Sequence, residues 1–346
     1  GLEQAGYQAV LVGGCVRDSI LGRKPQDWDI TTSATPWQIK ELFPRTIDTG
    51  LQHGTVTVMV DKEGFEVTTY RIDGAYEDGR HPSEVIFTPN LEEDLKRRDF
   101  TINAMAYNEE KGLVDLYGGL KDIELGIIRC VGNPMERFGE DALRILRAIR
   151  FSAQLGYEME EKTVEAIREL APTLEKISAE RIAAELTKLL LSERPEYIQH
   201  LYETGITKVI LPEFDPMIET SQNNPHHCYT VGRHTLESLK YIPADKVLRF
   251  TMLLHDIGKP NCRTTDEDGI DKDFYVDEIY EVDGRLYAAL IPGFVENITE
   301  YYVFRIKDLG NDDFELEDIN DEEEYDAAAD AYEERLDARA WSESMK

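Results

Sequence analysis

Residues 9 to 30 constrain this chain more than any other stretch. An apolar run over 9–12 predicts a buried strand, and Gly13 and Gly14 follow it directly. Glycines at such a point let the backbone turn tightly and approach a ligand closely. Residues 16–21 predict a short helix, whose free N–H groups beside the glycines would favour an anion.

Two aspartates follow this turn. Asp27 and Asp29 alternate with apolar Trp28 and Ile30, so on a strand both carboxylates would share one face. Because adjacent carboxylates repel, they call for a cation, and Mg²⁺ is commonly held by one or two carboxylates together with substrate phosphates. The stretch therefore predicts a metal-dependent phosphoryl- or nucleotidyl-transfer centre. The alternative is a polar turn followed by a surface strand with two solvated aspartates, which describes most isolated D-x-D pairs.

A third carboxylate follows in a predicted hairpin. Alternating residues over 55–60 and 65–70, joined by a turn over 61–64, predict two antiparallel strands. Glu66 on the second strand could join Asp27 and Asp29 as a catalytic residue, and a solvated strand glutamate is an equally good interpretation. Residues 71–90 show no period and predict a loop.

Basic side chains are concentrated in two later segments. Residues 96–104 read Lys-Arg-Arg-Asp-Phe-Thr-Ile-Asn-Ala, in which Arg98 suits a triphosphate or an RNA backbone. A continuous helix predicted over 136–155 carries a stripe of arginines at i, i+3 and i+6, and Asp141 lies three residues before the first of them. An exposed charged surface is the simpler alternative for each segment. The stripe consists of Arg144, Arg147 and Arg150.

Taken together, the motifs over residues 8–192 resemble those of the class II tRNA nucleotidyltransferase (CCA-adding enzyme) and poly(A) polymerase superfamily. The matching segments are the glycine turn with its D-x-D, the sequence RRDFTINA, the sequence EDALR with its downstream arginines, and SAERI at 178–182. The resemblance implies that Asp27 and Asp29 hold Mg²⁺ and that Gly14, Arg17 and Arg98 bind the incoming nucleotide. It also implies a base and phosphate pocket lined by Asp141, Arg144, Arg147 and Arg150.

The implied reaction is attack of a tRNA 3′-hydroxyl on the α-phosphate of CTP or ATP, with release of pyrophosphate and without a nucleic-acid template. A CC-adding enzyme or a poly(A) polymerase is the nearest alternative. The loop over 71–82 resembles the flexible loop of full CCA-adding enzymes, which favours complete CCA addition. An HD-type phosphohydrolase and an inactive RNA-binding remnant are alternatives from other classes.

The remainder of the chain resembles two further modules. Residues 224–259 are similar to part of an HD domain, with His234, His255 and Asp256 as a possible vestigial metal site and no evident source for the distal aspartate. Residues 274–346 resemble a small acidic bacterial domain of unknown function. We therefore expect an α/β head of the polymerase-β-like type with a mixed sheet, an all-α neck and body, and a small β-rich acidic C-terminal module. The expected boundaries are 1–122, 123–192, 193–273 and 274–346.

The charge is unevenly distributed. The net charge of −31 includes a net of −20 over residues 264–346 alone, so the acidity belongs mainly to the last module. The chain has no run of eighteen apolar residues and no basic-plus-apolar leader, and its four cysteines form no C-x-x-C pair. These features predict a soluble cytoplasmic protein with no membrane partner. The family resemblance implies that it acts on tRNA with CTP and ATP as substrates.

Overall fold

The structure is a computed structural model that describes residues 1–74, 85–221, 229–265, 271–292, 300–310 and 313–344. The chain divides into two compact units. One comprises Gly1–Asp215 with Thr235–Leu254, and the other comprises Pro216–His234 with His255–Lys346. None of the described helices is long and apolar enough to cross a membrane.

A mixed seven-stranded sheet opens the first unit, in the order β3-β4-β5-β2-β1-β8-β9. Strands β2 and β5 pair in parallel, and the other neighbours in this sheet are antiparallel. Strands β6 and β7 form a separate antiparallel pair. The strands are β1 (Ala9–Val12), β2 (Asp29–Thr32), β3 (Thr46–Gly50), β4 (Thr55–Val60), β5 (Glu63–Thr69), β6 (Arg71–Asp73), β7 (Val85–Phe87), β8 (Met105–Asn108) and β9 (Gly112–Asp115).

The predicted hairpin is confirmed as β4 and β5. The loop predicted over 71–90 is wrong at its ends, because β6 and β7 pair there, and its residues 75–84 lie outside the described part of the chain. Apolar residues of the sheet and of the helices packed on it form two clusters, one containing Ile39, Val56 and Val67, and the other containing Val12 and Leu95. These clusters give the sheet a packed core on which the loops of the site are supported.

Four helices accompany the sheet in the described part of residues 1–125, and α2 begins as its sequence predicts. Thr35 and Gln38 form a reciprocal capping box, and Pro36 is the first helical residue. The four helices are α1 (Gly14–Ile20), α2 (Pro36–Leu42), α3 (Leu91–Lys96) and α4 (Gly119–Leu125).

The chain is then largely helical, as expected. Strands β10 (Ile127–Ile128) and β11 (Glu158–Met159) form a two-residue parallel pair among the helices. The continuous helix predicted over 136–155 is wrong, because the chain breaks at Asp141 between two helices. The helices are α5 (Pro134–Glu140), α6 (Leu143–Leu155), α7 (Glu161–Leu170), α8 (Ala179–Leu190), α9 (Ile198–Glu203), α10 (Thr207–Ile210), α11 (Phe214–Glu219), α12 (Val231–Leu239) and α13 (Lys246–Leu254).

The C-terminal part is a four-stranded antiparallel sheet covered on one face by a long helix. Tyr280, Tyr287 and Tyr332 are buried between them, and the Tyr280 hydroxyl donates to the Ala328 carbonyl. Short β-type runs in the sequence over 274–280, 286–291 and 301–306 predict three of these strands, whereas β17 was not predicted. The elements are β12 (Arg263–Thr265), β13 (Asp271–Asp273), β14 (Tyr275–Val282), β15 (Arg285–Ile291), β16 (Tyr302–Gly310), β17 (Asp313–Glu317) and α14 (Glu322–Ser344).

Candidate active site

The turn after β1 is built on a glycine with an unusual backbone conformation. Gly13 has φ +80° and ψ −133°, and α1 begins at the next residue. A Cβ atom at Gly13 would lie 3.2 Å from Arg98 Nη1 and 3.9 Å from Asp29 Oδ2. The glycine therefore allows an arginine and a carboxylate to approach the backbone closely.

The three predicted carboxylates converge beside this turn. Asp29 begins β2 and lies in register with Glu66 on the parallel strand β5. Asp27 lies in the bend before β2, so the expectation that it shares a strand with Asp29 is wrong. Burial and then the charge of Asp27 raise the pKa of Asp29, Glu66 raises it further, and Arg98 opposes them. Their mutual repulsion is what a hard divalent cation with oxygen ligands would relieve.

Arg17 is held in place in the middle of α1. Its Nη1 donates to Asn103 Oδ1 at 2.7 Å, and its Nη2 lies 2.8 Å from Asp18 Oδ1. The side chain is almost fully buried. A Cβ atom at Gly14 would lie 3.7 Å from Arg17 Nη2, an ordinary contact distance. Arg17 therefore occupies a defined position at the wall of the site.

The arginines of α6 have separate acidic partners. Arg147 donates to Asp99 Oδ2 from Nε at 2.8 Å and from Nη2 at 2.5 Å. Arg150 pairs with Glu185 of α8. Burial opposes the charge on Asp99, but Arg147 outweighs it and holds the pKa of Asp99 well below its usual range. These arginines are thus anchored and not loosely solvated, as an exposed basic stripe would be.

The aromatic ring of Phe151, which was not predicted as a site residue, lies among these arginines. The guanidinium carbons of Arg150, Arg17 and Arg147 lie 3.9, 5.1 and 5.4 Å from the centre of the Phe151 ring. Such contacts stabilise cations over a ring face. The residue was visible at the end of the arginine-rich segment, but its position relative to Arg17 depends on the fold.

Asp141 and Arg144 were expected to lie side by side on one helix, and this expectation is wrong. Asp141 precedes α6, where its Oδ1 accepts from the Leu143 backbone N–H at 3.0 Å and its Oδ2 lies 3.2 Å from Arg181 Nη2. Arg144 Nη1 pairs with Glu140 at 2.5 Å, and its Nη2 donates to the Arg97 carbonyl at 3.1 Å. An aspartate that accepts from a backbone N–H two residues later ends one helix and begins the next.

Most of the predicted residues line one cleft of about 600 Å³. This volume is in the range of small-molecule sites. Glu66, Asp141 and Arg144 are not among its lining residues. The cleft brings basic side chains together with Asp27 and Asp29, an arrangement that suits a polyanion accompanied by a divalent cation. Its predicted lining residues are Gly14, Arg17, Asp27, Asp29, Arg98, Arg147 and Arg150.

The possible HD site is formed in part. Ligand atoms of His234, His255 and Asp256 all lie within 4.8 Å of one another. The sequence predicts helices at His234 and over 253–259. His234 is on α12 as predicted, but His255 and Asp256 lie in the turn after α13 and not on a helix. Lys259 Nζ lies 3.0 Å from Asp256 Oδ2. Burial raises the pKa of Asp256, but hydrogen bonds from His255 and Lys259 outweigh it and lower the pKa overall.

The sheet, its carboxylates and the arginine-lined cleft define a nucleotidyltransferase head of the poly(A) polymerase type. Residues 9–129 match the poly A polymerase head domain. Residues 156–218 match the probable RNA- and SrmB-binding site of polymerase A. Both matches fall within the first 218 residues, so this part of the chain is similar to the tRNA nucleotidyltransferase and poly(A) polymerase superfamily. Residues 267–337 match a separate family of unknown function, DUF1292.

Individual relatives agree with this placement. A CCA-adding enzyme of Limosilactobacillus reuteri is 51% identical over 194 residues, which make up 56% of this chain and 48% of that enzyme. A CCA-adding enzyme of Lactiplantibacillus plantarum is 52% identical over 194 residues, with the same coverage of 56% and 48%. The chain thus spans about half the length of the curated relatives it matches.

Solved structures show the same fold. The Bacillus stearothermophilus CCA-adding enzyme in complex with CTP aligns with a TM-score of 0.61 and 38% identity, covering 75% of this chain and 62% of that enzyme. A tRNA nucleotidyltransferase complexed with a primer tRNA and an incoming ATP analog aligns with a TM-score of 0.53 and 27% identity, covering 73% and 74%.

Proposed function

We propose that this chain is a tRNA nucleotidyltransferase that adds or repairs the 3′-terminal CCA of tRNA from CTP and ATP. The observation that carries the proposal is the cleft in which Asp27 and Asp29 meet Arg17 and Arg98 beside the glycine turn. The similarity to CCA-adding enzymes, over 56% of the chain in sequence and 75% in structure, supports the same assignment.

The donor set fits a magnesium ion, because burial and the negative charges of Asp27 and Glu66 raise the pKa of Asp29, and carboxylate oxygens are the ligands that a hard divalent cation prefers. Asp27 and Asp29 would hold it, with Glu66 adding negative charge from the neighbouring strand. When bound, Mg²⁺ lowers the pKa of the attacking 3′-hydroxyl and neutralises charge that develops on the departing pyrophosphate.

The chain's own residues position the reactants. Arg98 and Arg17 would hold the triphosphate, so that the α-phosphate faces the carboxylates and pyrophosphate leaves toward the arginines. The 3′-hydroxyl of the tRNA attacks the α-phosphorus, the bond from that phosphorus to the β-phosphate oxygen breaks, and the hydroxyl proton passes to solvent.

Base choice would rest on Asp141 and Arg144 without a nucleic-acid template. A carboxylate accepts hydrogen bonds and a guanidinium donates them, which matches the amino donor and the ring-nitrogen acceptor of cytosine and adenine. Uracil and guanine present the reverse order. In the structure these side chains contact Arg181 and Glu140, so binding of a base would require both to exchange partners.

The test uses the full chain, a tRNA lacking its 3′ end, and each labelled nucleotide supplied singly and then together. We expect two C residues and one A with Mg²⁺, and no incorporation by Asp29→Ala. Asp48→Ala is the matched control, because Asp48 is an exposed carboxylate paired with Lys40 away from the cleft. Addition of C alone would identify a CC-adding enzyme, and repeated addition of A would identify a poly(A) polymerase.

A second candidate function has its own observation. The His234, His255 and Asp256 cluster favours metal-dependent phosphate-ester hydrolysis. Lys259 forms a salt bridge with the Asp256 carboxylate and so competes with a metal ion for it. The cluster provides three ligands among the described residues, without a distal aspartate, so we expect hydrolysis to be weak or absent. Phosphatase activity that Asp29→Ala retains and His255→Ala loses would establish this function instead. Binding of tRNA without either activity would identify an RNA-binding remnant.

A further inference from the structure

One fully buried carboxylate lies beneath the proposed nucleotide site. Asp94, on α3, has no exposed surface. Its Oδ1 accepts from Arg97 Nη2 at 2.7 Å and from Arg97 Nε at 3.0 Å. A buried charge is costly unless it is paired and hydrogen-bonded, and Asp94 is both.

The second oxygen of Asp94 connects the two sides of the site. Asp94 Oδ2 lies 3.5 Å from Arg98 Nη2 and 3.3 Å from the hydroxyl of Thr31, a hydroxyl that also lies 3.0 Å from the Thr68 carbonyl. Thr31 is two residues after Asp29 on β2, so the two side chains share a face of that strand. Asp94 therefore links the strand of the metal-binding carboxylate to the arginine opposite it.

Arg98 is held on two sides and has a donor to spare. Its Nη2 faces Asp94, and its Nη1 lies against the Gly13 turn. Its Nε is buried and has no hydrogen-bond partner among the described residues. A buried donor without an acceptor is unfavourable, and a planar guanidinium presents its remaining N–H groups to phosphate oxygens in a fixed geometry.

We propose that Asp94 is the positioning residue for Arg98, fixing the guanidinium at a set distance from β2 so that its remaining donors face the triphosphate of the incoming nucleotide. This role rests on the proposed function, because that function supplies the triphosphate. Asp94 itself does not line the cleft and acts only through the arginine.

The test compares Asp94→Asn with Asp122→Asn. Asp122 is the matched control, because it is also a buried carboxylate of the same unit that accepts from a threonine hydroxyl, Thr101 Oγ1 at 2.6 Å, and from an arginine, Arg129 Nε at 3.1 Å. Neither Asp122 nor its partners line the cleft. Binding of inorganic tripolyphosphate to the full chain is measured by calorimetry, and KM and kcat are measured for CTP.

We expect Asp94→Asn to raise the Kd of tripolyphosphate and the KM of CTP about tenfold, with kcat within about threefold of the unaltered chain. Asp122→Asn should leave both constants unchanged. If Asp94→Asn does not fold, Asp94→Glu provides the test, because it keeps the charge but displaces the carboxylate by one methylene. We expect it to raise the Kd of tripolyphosphate about threefold.

Unchanged tripolyphosphate binding in the folded Asp94 variant would overturn the positioning role, and so would an equal loss in Asp122→Asn. The outcome is separable from the proposed function. A chain that incorporates nucleotides but shows no effect of the Asp94 change refutes the positioning role alone. A chain that binds tripolyphosphate through Asp94 and Arg98 without incorporating nucleotides refutes the proposed function alone. No binding of tripolyphosphate by the unaltered chain refutes both.

Discussion

Replacing Gly13 with alanine should damage both the fold and the site, for reasons that can be separated. Its backbone, at φ +80° and ψ −133°, lies in a region that side-chain-bearing residues avoid. Forcing a residue with a Cβ atom into such a conformation costs about 1–3 kcal/mol. Gly13→Ala should therefore lower the free energy of unfolding by that amount.

The added methyl group also meets Arg98. Its Cβ would lie 3.2 Å from Arg98 Nη1, a few tenths of an ångström inside an ordinary contact of about 3.5 Å. The arginine cannot withdraw freely, because Asp94 holds its other terminal nitrogen. Since the placement of a binding group matters on this scale, we expect CTP binding to weaken about tenfold.

Gly132→Ala separates the two effects. Gly132 has φ +72°, and a Cβ atom there would meet nothing within 4 Å. The control should lose about 1–2 kcal/mol of stability through its positive φ and keep the CTP affinity of the unaltered chain. Denaturant unfolding and calorimetric titration with CTP measure the two quantities. The reasoning is refuted if Gly13→Ala binds CTP as tightly as Gly132→Ala does.

Four further outcomes are expected. Burial and neighbouring carboxylates raise the pKa of Asp29, so its ionised form opposes folding. Asp29→Asn should therefore have an equal or higher melting temperature at pH 7, and this gain should vanish below about pH 4. A lower melting temperature at pH 7 would contradict this. The lowered pKa of Asp99 contributes stability that is present above about pH 4 and lost at lower pH. Asp99→Asn should therefore reduce the free energy of unfolding by about 1–3 kcal/mol at pH 7 and make it less dependent on pH in the acid range. An unchanged acid-unfolding profile would argue against the Asp99–Arg147 pair. Asp141→Ala should admit UTP and GTP more than it weakens triphosphate binding, by about 1–3 kcal/mol of lost discrimination, and an unchanged preference among the four nucleotides would place base selection elsewhere. Deleting residues 274–346 should leave the affinity for tRNA equal or higher, because the net charge of −20 over residues 264–346 repels phosphates. A large loss of affinity would instead show that this segment contacts tRNA.

Local sequence signals predicted the parts of the site that depend on neighbouring residues. The strand, glycine turn and helix over 9–20 were predicted to within about two residues, as was the capping box of α2. Periodicity also predicted the hairpin that carries Glu66. In each case a turn residue or a cap set the limits of the element, and both are visible over a few positions.

Pairs distant in sequence could not be predicted in this way. Nothing in the arginine stripe indicates that Arg147 pairs with Asp99, 48 residues away, rather than facing solvent. The break at Asp141 was missed because helical periodicity continues through it, whereas its side chain accepts from the backbone. Strand β17 was missed because its sequence is mostly acidic, and its Glu315 and Glu317 are neutralised by Lys307 on the adjacent strand.

The segment between α3 and β8 should tolerate neither insertions nor deletions. Arg97 contacts Asp73 beside the 75–84 segment, Arg98 faces the cleft, and Asp99 holds Arg147 of α6. One inserted or deleted residue would turn at least two of these three consecutive side chains away from their partners. An added residue at the exposed β4–β5 turn would disturb none of them. Insertion scanning should therefore find this short turn as intolerant as the D-x-D itself, although it contributes no metal ligand.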